Sequence, residues 1–494
     1  MNSSQKPKPG SRKRTSTGGA LLTIGSAEIL AQGATLARGI IVARIIGAEQ
    51  IGIAMTMLLF GEFLNKMTNM NPGITLVQDP AGGSRSFRHT LQSILLIRGV
   101  VYSILIFALA WPLAWLFEQQ QNVLGFMAVA LLPLMAGCIH TDVYRQLRKR
   151  NYLPTALMSS IPKIVSLIAT LVLSIWLQTF WLPILARYVG SLSAILVSAK
   201  VATRRFGLGI DRRHAMRIIK FIIPLAGAGI IVFFSTSGPR LFLASAPRLF
   251  DVFEYTMIQV GVFGVAMTLC VLPSGIGSRI ISQTWSPRMA RLRDEPERFR
   301  KVFGEMQTVS YTLAAGTIIL LGASHSWILL LYTSKFAAAG SVVAVLSVFG
   351  GLRLGRVAMR AAALSTGRSG IIFWTNLAGI IGLLATIIAI ATAQSLPIIA
   401  GCLILGELSS FAFGNVLLAR GKLALRITDL WIRPLLFCGI AIVIAAGERW
   451  LVGGLPPALG AAISVVITLL FFGFMAVTNP SVRTILKGRR GSGA

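Results

Sequence analysis

Long apolar runs separated by short polar stretches organise almost the whole chain. They lie near residues 18–43, 51–70, 91–117, 123–144, 154–177, 180–200, 218–244, 252–277, 304–322, 337–359, 370–392, 395–418, 430–447 and 457–478. An α-helix crosses a bilayer core with about 20 apolar residues, so each run is long enough to span once. The pattern predicts an all-α polytopic membrane protein of about fourteen transmembrane helices. A shorter apolar piece at Ile328–Tyr332 extends the ninth span or lies at the interface.

The connections sort by parity. Even-numbered loops hold Arg85 and Arg88, then Arg145, Arg148, Lys149 and Arg150, then Arg204, Arg205, Arg212 and Arg213. Later even loops hold Arg288, Arg291, Arg293, Arg298, Arg300 and Lys301, then Arg368, then Arg420, Lys422 and Arg426. The C-terminal tail adds Arg483, Lys487, Arg489 and Arg490. The odd connections 47–50, 118–121, 177–180 and 392–395 contain no Lys or Arg at all. Basic residues collect on the cytoplasmic side during insertion. The expected location is therefore the inner membrane, multi-pass, with both termini cytoplasmic.

The even loops also suggest a division of the chain. A basic tail (1–17) precedes an N-lobe of six helices (18–203), and a basic linker (204–217) leads to a C-lobe of six more (218–418). A terminal helix pair (419–479) and a second basic tail (480–494) follow. Gly52-Ile53-Ala54-Met55 opens helix two, and Glu254-Tyr255-Thr256-Met257 opens helix eight at the matching place, a weak internal echo. Two parallel bundles around a central cavity are a recurrent transporter plan.

Composition narrows the class. Of 494 residues, 54% are hydrophobic and 13% charged, half the charged share of a soluble domain, about 25%. The net charge of +31 would suggest nucleic acid in a soluble protein; here loop orientation accounts for it, and no nucleic-acid partner is expected. Cys138, Cys270, Cys402 and Cys438 lie inside apolar runs without a CxxC pair and read as small buried hydrophobes. The four histidines are scattered, no P-loop GxxxxGK[ST] occurs, and no metal or cofactor is expected. The start of the chain is polar and basic and a long helix follows it, so a retained first helix is expected instead of a cleaved signal peptide.

Polar residues inside the spans carry the candidate chemistry. A charge at a helix centre costs about 2.5–3.5 kcal/mol on the insertion scale and usually faces a cavity or a partner. Helix one places Gly25, Glu28, Gln32, Thr35 and Gly39 on one face. That face can line an aqueous path or form a close helix contact. Glu28 and Glu407 are carboxylates that can take up a proton or sodium ion and are the candidate ion-coupling groups. Helix two adds Glu62 and Lys66. Helix ten carries Arg353, Arg356 and Arg360 as a one-faced ladder, the outer members of which can snorkel. Arg38, Arg98, Lys163 and Arg187 supply further buried or half-buried positive charge. Cations in the spans outnumber carboxylates, and guanidinium groups bind phosphate through paired hydrogen bonds. An anionic cargo is favoured over a cationic drug. Pro112, Pro133, Pro162, Pro183, Pro224 and Pro273 lie within spans and can kink them.

Several segments resemble the polysaccharide-transporter branch of the multidrug/oligosaccharidyl-lipid/polysaccharide exporter superfamily. Ala43-Arg44-Ile45-Ile46-Gly47-Ala48-Glu49-Gln50-Ile51-Gly52 is similar to that family's end of helix one, and Pro72-Gly73-Ile74-Thr75-Leu76-Val77-Gln78 to its segment after helix two. Tyr144-Arg145-Gln146 through Asn151-Tyr152 resembles its connection after helix four, and Phe221-Ile222-Ile223-Pro224-Leu225 its start of helix seven. Thr284-Trp285-Ser286-Pro287-Arg288-Met289 and Ala361–Arg368 resemble its helix eight–nine linker and its turn after helix ten. Where the family often has an Asp-Arg pair, this chain has Gly238-Pro239-Arg240, and Glu254 stands where a Gly is usual.

The resemblance implies a flippase for undecaprenyl-pyrophosphate-linked oligosaccharide repeat units, working with membrane lipid and alongside a polysaccharide polymerase and other assembly proteins. It adds Arg38, Arg44 and Arg240 as candidates for the diphosphate or sugar. With Gln32, Arg98, Arg187, Arg353 and Arg356 they form the candidate substrate-binding set. The product would serve O-antigen lipopolysaccharide, capsule or exopolysaccharide synthesis. The competing readings are a multidrug or small-metabolite exporter of the same superfamily, which would centre on carboxylates, and a membrane polymerase or ligase. The latter needs a substantial external loop of catalytic groups, and the odd loops are too short for one. Not being an enzyme is the expectation.

Overall fold

The computed structural model describes residues 17–68, 75–76, 79–149, 151–292, 294–366, 368, 370–420, 428–479 and 482. The basic tail before residue 17, Arg150, Arg293, Lys422, Arg426, the tail cations from Arg483 onward and most of the 72–78 motif lie outside the described residues. The chain is built from helices: α1 (Thr17–Thr68), α2 (Arg85–Ala108), α3 (Ala110–Leu116), α4 (Val123–Val129), α5 (Leu131–Gly137), α6 (Asp142–Arg148), α7 (Leu153–Leu173), α8 (Trp181–Val201) and α9 (Arg212–Phe250). There follow α10 (Met257–Arg291), α11 (Pro296–Leu320), α12 (Ser324–Leu331), α13 (Ala339–Gly355), α14 (Val357–Ser365), α15 (Gly370–Ala378), α16 (Ile380–Ala391), α17 (Leu396–Ala419), α18 (Arg433–Val452) and α19 (Pro457–Thr478).

Twelve described stretches are long and apolar enough to cross a membrane, and the bent pair α11–α12 makes a thirteenth. One of the twelve is 42 residues long, Ser26–Met67, or about 63 Å at 1.5 Å per residue. That is twice a bilayer core of about 30 Å, so it crosses twice, and the fourteen expected spans are all accounted for. Its two arms meet at Gly47, whose φ of 77° and ψ of 178° break the helix. Only a residue without a Cβ adopts that conformation at no steric cost. The arms fold back on each other, as their partners show. Near the break Gly52 touches the start of α10 at Met257; the far end of the first arm reaches Arg279 of α10 through Glu28, and the far end of the second lies against Gly229 of α9 at Lys66. Both far ends thus stand about 30 Å of helix away from the connection between Phe250 of α9 and Met257 of α10.

Proline explains two breaks within spans. Pro112 has no N–H for the carbonyl four residues back and its ring clashes with it; that carbonyl belongs to Ala108, where α2 ends. Pro133 acts in the same way on Val129, the last residue of α4. Pro183 sits in the first turn of α8, where its missing donor costs nothing. Pro162, Pro224 and Pro273 lie inside continuous helices.

The N-lobe packs α1 on α7, α7 on α8 and α2 on α5; the C-lobe packs α10 on α13, α13 on α17, α16 on α17 and α9 on α16. The terminal pair α18 and α19 lies against α11. The lobes meet where α1 runs along α9 and α10. Large apolar side chains cover the outside, among them Trp450 at 87% exposure and Val443 at 72%. A lipid-facing surface carries such groups without cost, whereas water-facing patches of this size are rare in soluble monomers. The two longest even loops differ from expectation in one respect: much of their charge is helical, because α9 already begins at Arg212 and α10 continues to Arg291.

Candidate functional site

Charged side chains line the seam between the lobes. Glu62 on the second arm of α1 accepts from Ser237 Oγ at 2.8 Å and pairs with Arg240 of α9 at 3.2 Å. Lys66, one turn further along, pairs with Glu62 at 3.4 Å and donates to Thr236 at 3.0 Å. Glu62 and Lys66 keep about a third of their side-chain surface exposed, 35% and 32%, although they stand in the interior of a helical bundle. Lys66 also lies within electrostatic reach of Arg353 on α13. One charge-lined space therefore touches α1, α9 and α13.

Arg38 and Arg187 stand deeper in the N-lobe. Arg38 Nη1 donates to Ser166 Oγ at 2.9 Å, which ties α1 to α7. Arg187 on α8 is accessible yet enclosed, repelled by Arg38 and attracted by Glu62. Two arginines facing one another in a membrane interior are mutually unfavourable, by about 2 kcal/mol at 8 Å and an effective dielectric of 20. An anion between them would reverse that sign.

At the opposite end of the first arm Glu28 accepts from Gln32 Nε2 at 2.6 Å and forms an ion pair with Arg279 of α10. Lys163 of α7 lies within reach of the same carboxylate. The candidate ion-coupling group Glu28 is thus bound by a cation from the other lobe. The second one, Glu407 on α17, sits 2.6 Å from Arg356 Nη2 and 4.0 Å from Arg353 Nη1. Both carboxylates are already neutralised by arginine.

The remaining sequence candidates sit elsewhere. Arg44 caps the end of α12: Nε donates to the Leu331 carbonyl at 2.8 Å and Nη2 to that of Leu330. It is a bridge between lobes at the end opposite Glu28. Arg98 on α2 lies 5.7 Å above the Tyr102 ring, away from the seam. Sequence reasoning did not select Glu62, Lys66, Lys163 and Arg279 as site residues. The Glu62–Lys66 spacing of four was visible, but their partners on α9 lie about 170 residues further along. Arg279 was hidden by an early end assigned to helix eight.

Residues 41–341 match the family described as Polysaccharide biosynthesis protein. The chain belongs to that family. The match runs from just before Arg44 past Arg240 and Arg279 to the start of α13; Glu28, Gln32 and Arg38 precede it, and Arg353, Arg356 and Glu407 lie beyond it. No curated protein matches the chain at a significant level. Among solved structures, this polysaccharide biosynthesis protein is similar to the lipid II flippase MurJ in an inward closed conformation. Identity is 12%, the TM-score 0.72, and the alignment covers 92% of this chain and 99% of that one. It is also similar to an inward-facing multidrug resistance MATE family transporter of the MOP superfamily, at 12% identity and TM-score 0.58, with 87% and 99% covered. The MATE transporter VcmN of Vibrio cholerae follows at 12% and 0.53, with 82% and 98% covered. At these identities the likeness establishes the fold alone, which this chain shares with MurJ and the MATE transporters.

Proposed function

We propose that this protein is a flippase that moves polyprenyl-pyrophosphate-linked oligosaccharide repeat units across the inner membrane for polysaccharide synthesis. In this reading the lobes are residues 18–203 and 218–418, both termini are cytoplasmic, and the cargo passes through the seam between them. The observation that carries it is the sign of the interior charge. Arg38, Lys66, Lys163, Arg187, Arg240 and Arg353 face a space whose carboxylates, Glu28 and Glu62, each hold an arginine already. The surplus is positive, and it suits a diphosphate or an acidic sugar. Arg38, Arg187, Arg240 and Arg353 take the diphosphate, with Gln32 near the sugar. Arg44 holds the lobes together at the far end. Membership of a polysaccharide biosynthesis family supports the cargo class. An exporter of cationic drugs is disfavoured, because the carboxylates of the seam, Glu28 and Glu62, are paired with arginine.

The test is the sidedness of the lipid-linked glycan. Membranes from cells with and without this protein are probed with an impermeant glycan-modifying reagent from the periplasmic side. Accumulation of an unreachable intermediate on depletion is the expected result. A glycan equally reachable in both cases rejects the flippase.

A further inference from the structure

Beside the seam, with Arg353 shared between the two, the C-lobe holds a small polar cavity of about 90 Å³ between α9, α13, α14, α15, α16 and α17. This is well above the roughly 10–15 Å³ that a single water needs. Arg353, Arg356 and Arg360 line it, with Asn376, Ser410 and Glu407. The three arginines repeat at intervals of three and four and so share one helical face. The charge does not balance: three guanidinium groups face one carboxylate. Glu407 is committed to Arg356 at 2.6 Å and to the edge of Arg353 at 4.0 Å. Arg360 is exposed, forms no ion pair among the described residues, and is repelled by both other arginines and attracted by Glu407. Arg356 is 8% exposed, and its Nε is buried without a hydrogen-bond partner.

A buried cationic donor without an acceptor is costly, and a surplus of two positive charges around one pocket adds to that cost. A compact anion removes both defects. Guanidinium forks match a tetrahedral oxyanion, offering two parallel N–H donors to two oxygens. The Asn376 amide and the Ser410 hydroxyl are neutral donors of the kind that complete such a shell. No aromatic or extended apolar surface other than Phe349, Leu383, Leu403 and Val232 lines the cavity, and its size excludes a sugar chain.

We propose that this C-lobe cavity is a binding site for a phosphate-class oxyanion, adjoining the seam through Arg353 and set apart from it by Arg356 and Arg360. Two sources share the chemistry: free inorganic phosphate and the phosphate end of a polyprenyl lipid. The purified full chain in nanodiscs without polyprenyl lipid is titrated with radiolabelled orthophosphate, in parallel with nanodiscs doped with polyprenyl phosphate. Saturable orthophosphate binding is expected, weakened at least tenfold by Arg360→Gln and only slightly by Arg360→Lys. Arg360→Lys keeps the charge, so it also controls for misfolding, and gel filtration of each variant reports the fold. If orthophosphate binds only in the plain discs and doping abolishes it in an Arg360-dependent way, the lipid phosphate is the occupant and the site stands. Absence of binding in both kinds of disc overturns the proposal, as does binding that Arg360→Gln leaves intact. The glycan sidedness test is a separate readout, so either reading can fail alone.

Discussion

Arg240 of α9 holds Glu62 of α1 across the boundary between the lobes at 3.2 Å. The pair is part-exposed, so its direct contribution to stability is small, about 0–1 kcal/mol. Its weight lies in position. Any movement that separates α1 from α9 must break it, and the two charges then need new partners.

The first prediction follows from that pairing. Glu62→Arg places two cations together and is expected to reduce glycan export at least tenfold. The exchanged pair Glu62→Arg with Arg240→Glu should recover a substantial part of it. Export is measured at matched membrane levels. Equal loss in the single and exchanged variants would show that the two side chains do not act as a pair.

At the end of the seam away from Glu28, helix backbones meet directly. A Cβ on Gly52 would lie 2.0 Å from the Met257 carbonyl oxygen, and one on Gly261 would lie 1.9 Å from that of Ala48. Gly261→Val is therefore expected to push α10 off α1, with an overpacking cost of about 1–3 kcal/mol. A cysteine placed at Gln50 should react faster with an impermeant maleimide in that variant than in the parent. No change in its labelling rate would mean that the crossing does not govern closure.

Asp142, between the spans, makes a different prediction. Its side chain is 0% exposed and lies 3.4 Å from Arg88 and 3.1 Å from Arg145 Nη2, with the Thr203 N–H donating at 2.9 Å. Burial pushes this carboxyl up, but hydrogen bonds from Arg145 and Thr203, with the Arg145 charge, outweigh it and hold the group well below the usual carboxylate range. A depressed folded value means that the stabilisation is present above the unfolded value of about 3.9 and is lost only as pH falls through the folded one. Asp142→Asn should cost about 3–5 kcal/mol, since two arginines are left without their counter-charge. The deficit in thermal stability should be constant from pH 5 to 8. A deficit that grows with pH across that window would contradict the assignment.

Under the proposed function Glu28 is the candidate coupling group, and Arg279 of the other lobe is its ion-pair partner. Glu28→Gln is expected to remove most of the ionophore sensitivity of export while leaving insertion intact. Unchanged sensitivity would remove Glu28 from the coupling step. Arg279→Gln should reproduce the phenotype in part, because it removes the cation that positions the Glu28 carboxylate.

Much of the fold was legible because spans are long and loops alternate in charge. Hydropathy located every crossing, including the two that share α1, and the resemblance is borne out by the family match. Helix ends were less legible. Basic residues such as Arg288 read as loop because they end the apolar run, yet the backbone stays helical past them, and Arg279 was lost with that boundary. The site was legible only as an inventory. That Arg353 and Glu28 exist in spans is visible from sequence, but Glu62 and Arg240 are 178 residues apart, and periodicity relates positions within one helix only. The same limit applied to Arg44, whose capping of α12 depends on the 69° bend between α11 and α12.

The Gly52–Gly261 crossing has a further meaning for how this protein can change. Most joints between moving parts are made of side chains, and selection can tighten or relax them by degrees. Here the joint is main chain on main chain, and both sides are already at the smallest residue. Every substitution subtracts contact and none can add it. Change along the seam is therefore open to the charged residues that meet side chain to side chain, while the Gly52–Gly261 end stays at a limit that it cannot pass.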